Sequence, residues 1–215
     1  MKVNGKVVVV TGAGSGMGRE LTLELIKRGA KVAAVDMRAE TLEETKQLAL
    51  AAGGTVETFI LDVSDDAKVN ALPAQVEAKL GAADALINNA GIIQPFVMIK
   101  DLTVDAAAKV MNVNFHGPLM LTKAFLPGLL ARPEGHILNV SSMGAYAPVP
   151  GQSVYGASKA AIKLFTEGLR HEPQKQTEIG PVPESWEVVR CEDVCDTISV
   201  GSVVKPSSYY VKEGV

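Results

Sequence analysis

The first 36 residues constrain the fold more than any other part of the chain. Residues 6–11, KVVVVT, are an unbroken apolar, β-branched run, the pattern of a strand buried on both faces of a parallel sheet. The turn TGAGSGMG follows at residues 11–18. Residues 19–28, RELTLELIKR, then place apolar side chains at helical spacing and stop at Gly29. Residues 31–36, KVAAVD, form a second strand. The chain therefore opens with a strand–glycine turn–helix–strand unit.

The same order then repeats. A helix is predicted over residues 40–52, ended by Gly53 and Gly54, then a third strand over 55–62 and a helix over 65–80 that stops at Gly81. A fourth strand, DALIN at 84–88, runs into Asn89-Ala90-Gly91. Residues 104–130 form a long helical stretch in which Pro118 predicts a kink and Pro127 a late break. A fifth strand over 135–141 and a helix over 154–171 complete the rhythm. Strands alternating with helices predict an α/β fold, a doubly wound parallel sheet in a single domain. The rhythm stops near residue 172. Residues 174–185 are polar and carry two prolines; a short strand at 186–190, a helix at 192–200 and an extended piece at 208–211 are the elements predicted beyond them. The expected layout is a core over 1–172 and an atypical C-terminal segment of the same domain over 173–215.

Composition narrows the function classes. With 215 residues, 47% apolar and 21% charged, the chain has the makeup of a globular domain with a buried core. A net charge of −3 gives no sign of nucleic acid or anionic membrane as a partner. No apolar run approaches the roughly 20 residues of a membrane span, and the N-terminal apolar run is read as a strand rather than a signal peptide. Cys191 and Cys195 have neither redox nor zinc spacing and are read as reduced thiols of a cytoplasmic protein. His116, His136 and His171 share no ligand spacing, so no metal site is expected.

The glycine turn sits between a strand and a helix, where unpaired N–H groups and the helix dipole favour a diphosphate. Gly12, Gly16 and Gly18 allow the tight turn and the close approach of backbone to phosphate; Ser15 and Met17 lie between them. Asp36 ends the second strand, where a carboxylate accepts from the adenosine ribose hydroxyls and repels a 2′-phosphate. With Ser15 rather than a basic residue in the turn, NAD is favoured over NADP; Arg38, two residues on from Asp36, is a contrary sign. Asp62 and Val63 end the third strand. Asp62 is placed either to bond the adenine amino group or to cap the next helix. Asn88 to Gly91 end the fourth strand. Their amides can tie neighbouring strands together, and Ala90 and Gly91 leave room for a ribose; Asn89 is a candidate for either role.

Ser142, Tyr155 and Lys159 supply proton chemistry. Tyr155 and Lys159, at i and i+4, share one helix face, so the ammonium stabilises the phenolate and lowers the phenol's pKa from about 10. A phenol tuned in this way exchanges a proton with an alcohol or carbonyl oxygen. Ser142 is chosen over Ser141 on its spacing to Tyr155, and Ser141 is expected to bond locally to backbone.

Together these motifs resemble the short-chain dehydrogenase/reductase family. The matching pieces are TGAGSGMG at 11–18, Asp36, LDV at 61–63, NNAG at 88–91, Asn114 within MNVNF, NVSS at 139–142 and YGASK at 155–159, over about residues 5–172. The resemblance implies a Rossmann fold, a nicotinamide cofactor, and oxidation of an alcohol or reduction of a carbonyl. It implies Tyr155 as general acid/base, Lys159 on the nicotinamide ribose, Ser142 on the substrate oxygen, and Asn114 supporting a water-linked proton relay. Asn114 can also simply bridge backbone groups at a helix kink. The resemblance further implies a homodimer or homotetramer paired through the helices at 104–130 and 154–171.

The chain departs from the family's pattern at its C-terminal end. No apolar strand directly follows the catalytic helix, and no Pro-Gly dipeptide occurs beyond Gln152. The segment that would cover the nicotinamide and shape the substrate pocket is not recognisable. The residues left to line a pocket, 92–96, 143–146 and Pro150, are mostly apolar and suit a small or medium alcohol or ketone. The expected function is an oxidoreductase moving a hydride between NAD(H) and a secondary alcohol or ketone. The alternative is a dinucleotide-binding protein with little or no turnover.

Overall fold

The computed structural model describes residues 1–170, residue 172 and the strands at 175–177 and 180–182. Two compact units divide the chain, residues 1–166 and 167–215.

The first unit is built on five parallel strands in the order β3-β2-β1-β4-β5, namely β1 (Val7–Thr11), β2 (Lys31–Asp36), β3 (Thr55–Ile60), β4 (Ala85–Asn88) and β5 (His136–Asn139). Its helices are α1 (Gly16–Lys27), α2 (Ala39–Ala51), α3 (Asp66–Leu80), α4 (Val104–Met111), α5 (Gly117–Leu130) and α6 (Ser153–Arg170), whose last turn belongs to the second unit. The valine run of β1 is buried throughout because both faces of the sheet are covered. Successive side chains of a strand point to opposite faces. Val7 and Val9 accordingly join the core with Leu72, Leu121 and Phe125, while Val8 and Val10 join the one with Ile26, Val32 and Leu42.

From β1 the chain winds outward to β2 and β3, then returns to β1's other side at β4. That reversal opens a crevice at the carboxyl ends of β1 and β4, where α/β sheets bind ligands.

The predicted helix over 104–130 is three pieces. A five-residue π turn, Asn112–His116, separates α4 from α5. Pro118 lies in the first turn of α5, where its missing N–H costs least. The break expected at Pro127 does not occur, and α5 runs on to Leu130. Phe125 and Leu129 are buried on either side of that proline, so packing overrides the local preference. Helix α1 begins at Gly16, three residues earlier than predicted, because the end of the glycine turn is already its first turn.

In the second unit, β6 (Lys175–Thr177) and β7 (Gly180–Val182) form an antiparallel pair where only a polar segment was expected. The elements predicted at 186–190, 192–200 and 208–211, together with Cys191, Cys195 and His171, lie outside the described residues. Among the described residues, no helix is long and apolar enough to cross a membrane, and no group of three or more His, Cys, Asp or Glu is placed to hold a metal ion.

Candidate active site

Gly12 and Gly16 have φ of 68° and 52°, a region that costs a side chain strain. A Cβ on Gly18 would strike the carbonyl oxygen of Gly12 and come within 2.6 Å of Asn89 Nδ2, so the turn folds tightly against the end of β4. Ser15 is the N-cap of α1, but its side chain does not cap, and no acid stands in the first turn. Its Oγ instead accepts from the Arg38 guanidinium at 2.8 Å. Arg19 braces the turn against α2: it donates to the Gly14 carbonyl at 2.6 Å and to Thr45 Oγ1 at 3.0 Å, and pairs with Glu44 at 2.7 Å. Sequence reasoning missed Arg19, which has the look of an ordinary helix-surface charge.

Asp36 is buried at the end of β2. One carboxylate oxygen accepts from the Gly14 N–H at 2.9 Å and the other from the Arg38 N–H at 3.0 Å. The Arg38 Nε lies 3.9 Å from the second oxygen. Asp62 accepts from both the N–H and the hydroxyl of Ser64, at 2.9 and 2.7 Å. The cap of α3 is Asp65, accepting from the Lys68 N–H at 3.1 Å, which corrects the alternative of Asp62 as the cap. Val63 packs closely on the backbone of Gly117.

The amides after β4 tie the strands as expected. Asn88 donates to Asn139 on β5 at 2.8 Å, and Asn89 donates to the Thr11 carbonyl on β1 at 2.9 Å. The Asn89 and Ala90 N–H groups both donate to Thr11 Oγ1 at 3.0 Å, a role for Thr11 not foreseen from sequence. A crevice of about 720 Å³ runs from Asp36 past Gly12 to Gly91, with Asp62, Met17 and Lys109 on its walls. That volume is in the range of small-molecule sites, about 300–1,000 Å³.

Ser142, Tyr155 and Lys159 lie beyond the lining of this crevice, and Lys159 meets it at Gly91. A Cβ on Gly91 would be 3.3 Å from Lys159 Nζ, and one on Gly144 would be 3.6 Å from both Ser142 Oγ and Tyr155 Cε1. Ser142 and Tyr155 therefore converge on the backbone of Gly144. Ser142 Oγ accepts from the Gly144 N–H at 3.1 Å, which leaves its own proton to donate. Lys159 is only 6% exposed, and its Nζ donates to the Val140 carbonyl at 2.9 Å. Burial pushes its ammonium below the ordinary lysine value, because desolvation disfavours the charged form. Ser141 does not bond locally; its hydroxyl donates to the Lys159 carbonyl on α6 at 2.8 Å.

Asn114 sits in the π turn, 1% exposed. Its Oδ1 accepts from the Ile92 N–H at 2.8 Å, and its Nδ2 donates to the Ile92 carbonyl at 2.9 Å and to Ser158 Oγ at 3.0 Å. Its side chain thus makes the backbone bridge named as the alternative to a relay. Gln94 was counted only among pocket-lining residues, yet it is 1% exposed and bonded to the start of α6.

A parallel sheet with a glycine turn at its switch point and an acid at the end of β2 defines a Rossmann-type α/β protein. The chain belongs to the short chain dehydrogenase family, whose model matches residues 6–180. It is 40% identical over 198 residues to SadH of Mycobacterium tuberculosis, an oxidoreductase by name, covering 89% of this chain and 71% of that one. It is 40% identical over 173 residues to mouse dehydrogenase/reductase SDR family member 7B, covering 79% of this chain and 53% of that protein. Among solved structures, an NAD⁺-bound xylitol dehydrogenase superposes with a TM-score of 0.76 at 32% identity, covering 79% of this chain and 65% of the other. A metagenomic short-chain oxidoreductase in complex with NADP gives 0.75 at 31%, covering 79% and 76%. The chain thus spans about half to three quarters of the length of these relatives.

Proposed function

We propose that this chain is an NAD-linked oxidoreductase acting on a secondary alcohol or ketone, with Tyr155 as general acid/base. The observation that carries the reading is the convergence of Ser142 Oγ and the Tyr155 ring on Gly144, beside buried Lys159.

The crevice fits a dinucleotide. The N-terminus of α1 has no side-chain cap and no acid, a Cβ on Gly16 would meet nothing within 4 Å, and Asp36 stands at the far end. Gly12, Ser15, Gly16, Met17 and Gly18 would hold the diphosphate, Asp36 the adenosine ribose, Asp62 and Val63 the adenine, and Asn89, Ala90, Gly91 and Lys159 the nicotinamide ribose. Bound there, the cofactor supplies hydride transfer to or from the carbinol carbon.

The residues of the chain handle the proton. Ser142 donates its hydroxyl proton to the substrate oxygen and fixes its direction. Tyr155 takes the alcohol's proton in oxidation and returns it in reduction. Lys159, one helical turn along the same face, favours the phenolate by its charge, and burial weakens the screening of that charge. Asn114 holds Ile92 and Ser158 in place behind this group.

The buried Asp36 carboxylate supports NAD, since it would repel a 2′-phosphate. Arg38, bonded to Ser15 at the same mouth, is the feature that would serve NADP. Both cofactors occur among the similar structures. Exposed apolar side chains on α5 and α6, Leu130 and Leu164, support pairing into a homodimer or homotetramer. We assign residues 1–172 to cofactor binding and catalysis.

The test is formation of reduced dinucleotide from a panel of secondary alcohols, in the unaltered chain and in Tyr155→Phe. The expected result is turnover that Tyr155→Phe lowers by about 10²–10⁴-fold, with dinucleotide affinity kept. Undiminished turnover in the variant refutes the role of Tyr155. Dinucleotide binding with no turnover of any substrate favours the second reading, a binding protein lacking catalysis.

A further inference from the structure

We infer that Gln94 is a positioning residue for Tyr155, acting as the N-terminal cap of the helix that carries it; this rests on the catalytic reading of Tyr155. Helix α6 begins at Ser153, so Gln152 is its N-cap and Val154 and Tyr155 are the second and third helical residues. Their N–H groups are those an N-cap side chain ordinarily accepts from. Gln152 does not do so. Its side chain donates instead to the Gln94 carbonyl at 3.0 Å. The vacant role is taken from 60 residues upstream: Gln94 Oε1 accepts from Val154 N–H at 2.8 Å and from Tyr155 N–H at 3.0 Å. Gln94 Nε2 donates to the Gly151 carbonyl at 2.8 Å, holding the residue before the N-cap.

The other end of the Tyr155 residue is held as well. Its carbonyl accepts from Ser158 Oγ at 2.7 Å, and Ser158 Oγ accepts from Asn114 Nδ2 at 3.0 Å. Asn114 also bonds both backbone groups of Ile92, two residues before Gln94. The circuit is closed: Asn114 fixes Ile92, Gln94 follows on the same short segment, and the two amides grip Tyr155 at its N–H and, through Ser158, at its carbonyl. The glutamine amide offers an acceptor to both N–H groups and a donor to the carbonyl at once. Ile93 and Phe96, on the same segment, are exposed. A displacement of the segment by substrate would therefore reach Tyr155 through Gln94.

The test compares Gln94→Met, which keeps the length and loses the acceptor, with Gln94→Glu, which keeps the acceptor beside a helix N-terminus that tolerates negative charge. In Gln94→Met, kcat is expected to fall about 10–100-fold, the scale of a displaced catalytic group, with KM and NADH affinity within about twofold of the unaltered chain. Gln94→Glu should recover most of that kcat. Amide hydrogen exchange at Val154 and Tyr155 should quicken by about tenfold in Gln94→Met, the loss of one hydrogen bond. Unchanged kcat in Gln94→Met overturns the inference. So does a Gln94→Glu variant that binds NADH and yet stays as slow as Gln94→Met, or, should Gln94→Met not fold, one that binds NADH with kcat lost. If the unaltered chain turns over nothing, the catalytic reading fails, and the clamp is judged by exchange alone: fast exchange at both amides upholds it and unchanged exchange overturns it.

Discussion

Lys159 and Asn114 meet across Gly91: a Cβ built on that glycine lies 3.3 Å from both Lys159 Nζ and Asn114 Oδ1. Each side chain is more than nine-tenths buried, and each is committed elsewhere, Lys159 to the Val140 carbonyl and Asn114 to Ile92. Gly91, three residues past the end of β4, thus faces a buried cation and a buried amide on the side where a Cβ would stand. The crevice and the proposed catalytic group adjoin at this backbone position, through Lys159.

Asn114→Ala removes three hydrogen bonds at once, leaving the Ile92 N–H, the Ile92 carbonyl and the Ser158 hydroxyl without it. Each buried group left unpaired costs about 1–3 kcal/mol. We expect at least about that loss by urea unfolding, and a larger fall in kcat than in NADH affinity, because Ile92 and Ser158 hold Tyr155 rather than the phosphate turn. Equal stability of the variant would show that water replaces the amide.

Asp84 anchors the opposite edge of the sheet, at the amino ends of β1 and β4. It accepts from the Val7 N–H at 2.9 Å and pairs with Arg132 at 2.8 Å and Lys6 at 3.5 Å. Burial works against its charged form, but the Val7 amide, Arg132 and Lys6 together hold its carboxyl below the usual carboxylate range. A carboxyl depressed in the folded state contributes stability above its unfolded pKa, about 3.9, and loses it as pH falls through the lower folded value. Asp84→Asn should therefore cost about 1–3 kcal/mol at neutral pH. The gap between variant and unaltered chain should close below about pH 4. Denaturant titrations at both pH values test this; a gap constant with pH would refute the charge contribution.

These residues show which parts of the molecule are legible from sequence. The sheet is legible because the β1 valine run and the glycine turn are local signals: buried strands need apolar side chains, and a turn at positive φ needs glycine. Asp36, Asp62 and Asn89 are legible as a set because all three lie at or just past strand ends on one edge of a parallel sheet. Gln94, Arg19 and Asp84 are not. Each is a single polar residue whose meaning lies mostly in partners more than 20 residues away, and no periodicity marks such a pairing. Pro127 was misjudged for the converse reason, since a local rule gave way to the packing of Phe125 and Leu129.

Asp36→Ser should change cofactor preference. The substitution removes the carboxylate that repels a 2′-phosphate and leaves Arg38, already at the mouth beside Ser15, without its acidic neighbour. The ratio of kcat/KM for NADP over NAD is expected to rise by about 10–10²-fold, the value of a charge pair gained and a repulsion lost. Steady-state rates with each cofactor measure it. An unchanged ratio would mean that Asp36 serves the turn, through the Gly14 N–H, rather than the cofactor.

Lys159 should give the proposed reaction its alkaline boundary. Burial lowers its pKa, so as pH rises the ammonium loses its proton before an ordinary lysine would, near 10.4. Below that point the cation favours the Tyr155 phenolate; above it the help is withdrawn. In the direction of alcohol oxidation, which releases a proton, kcat/KM should therefore rise with pH and fall again at a pH below about 10.4. Lys159→Met has no such group to titrate. Its rate should be lower by about 10²-fold or more near neutral pH, its dinucleotide affinity weaker, and its profile should keep rising where the unaltered chain turns down. Rate measurements from pH 6 to 11 in both proteins decide the matter. A downturn at the same pH in Lys159→Met would assign the boundary to another group and remove Lys159 from the proton chemistry.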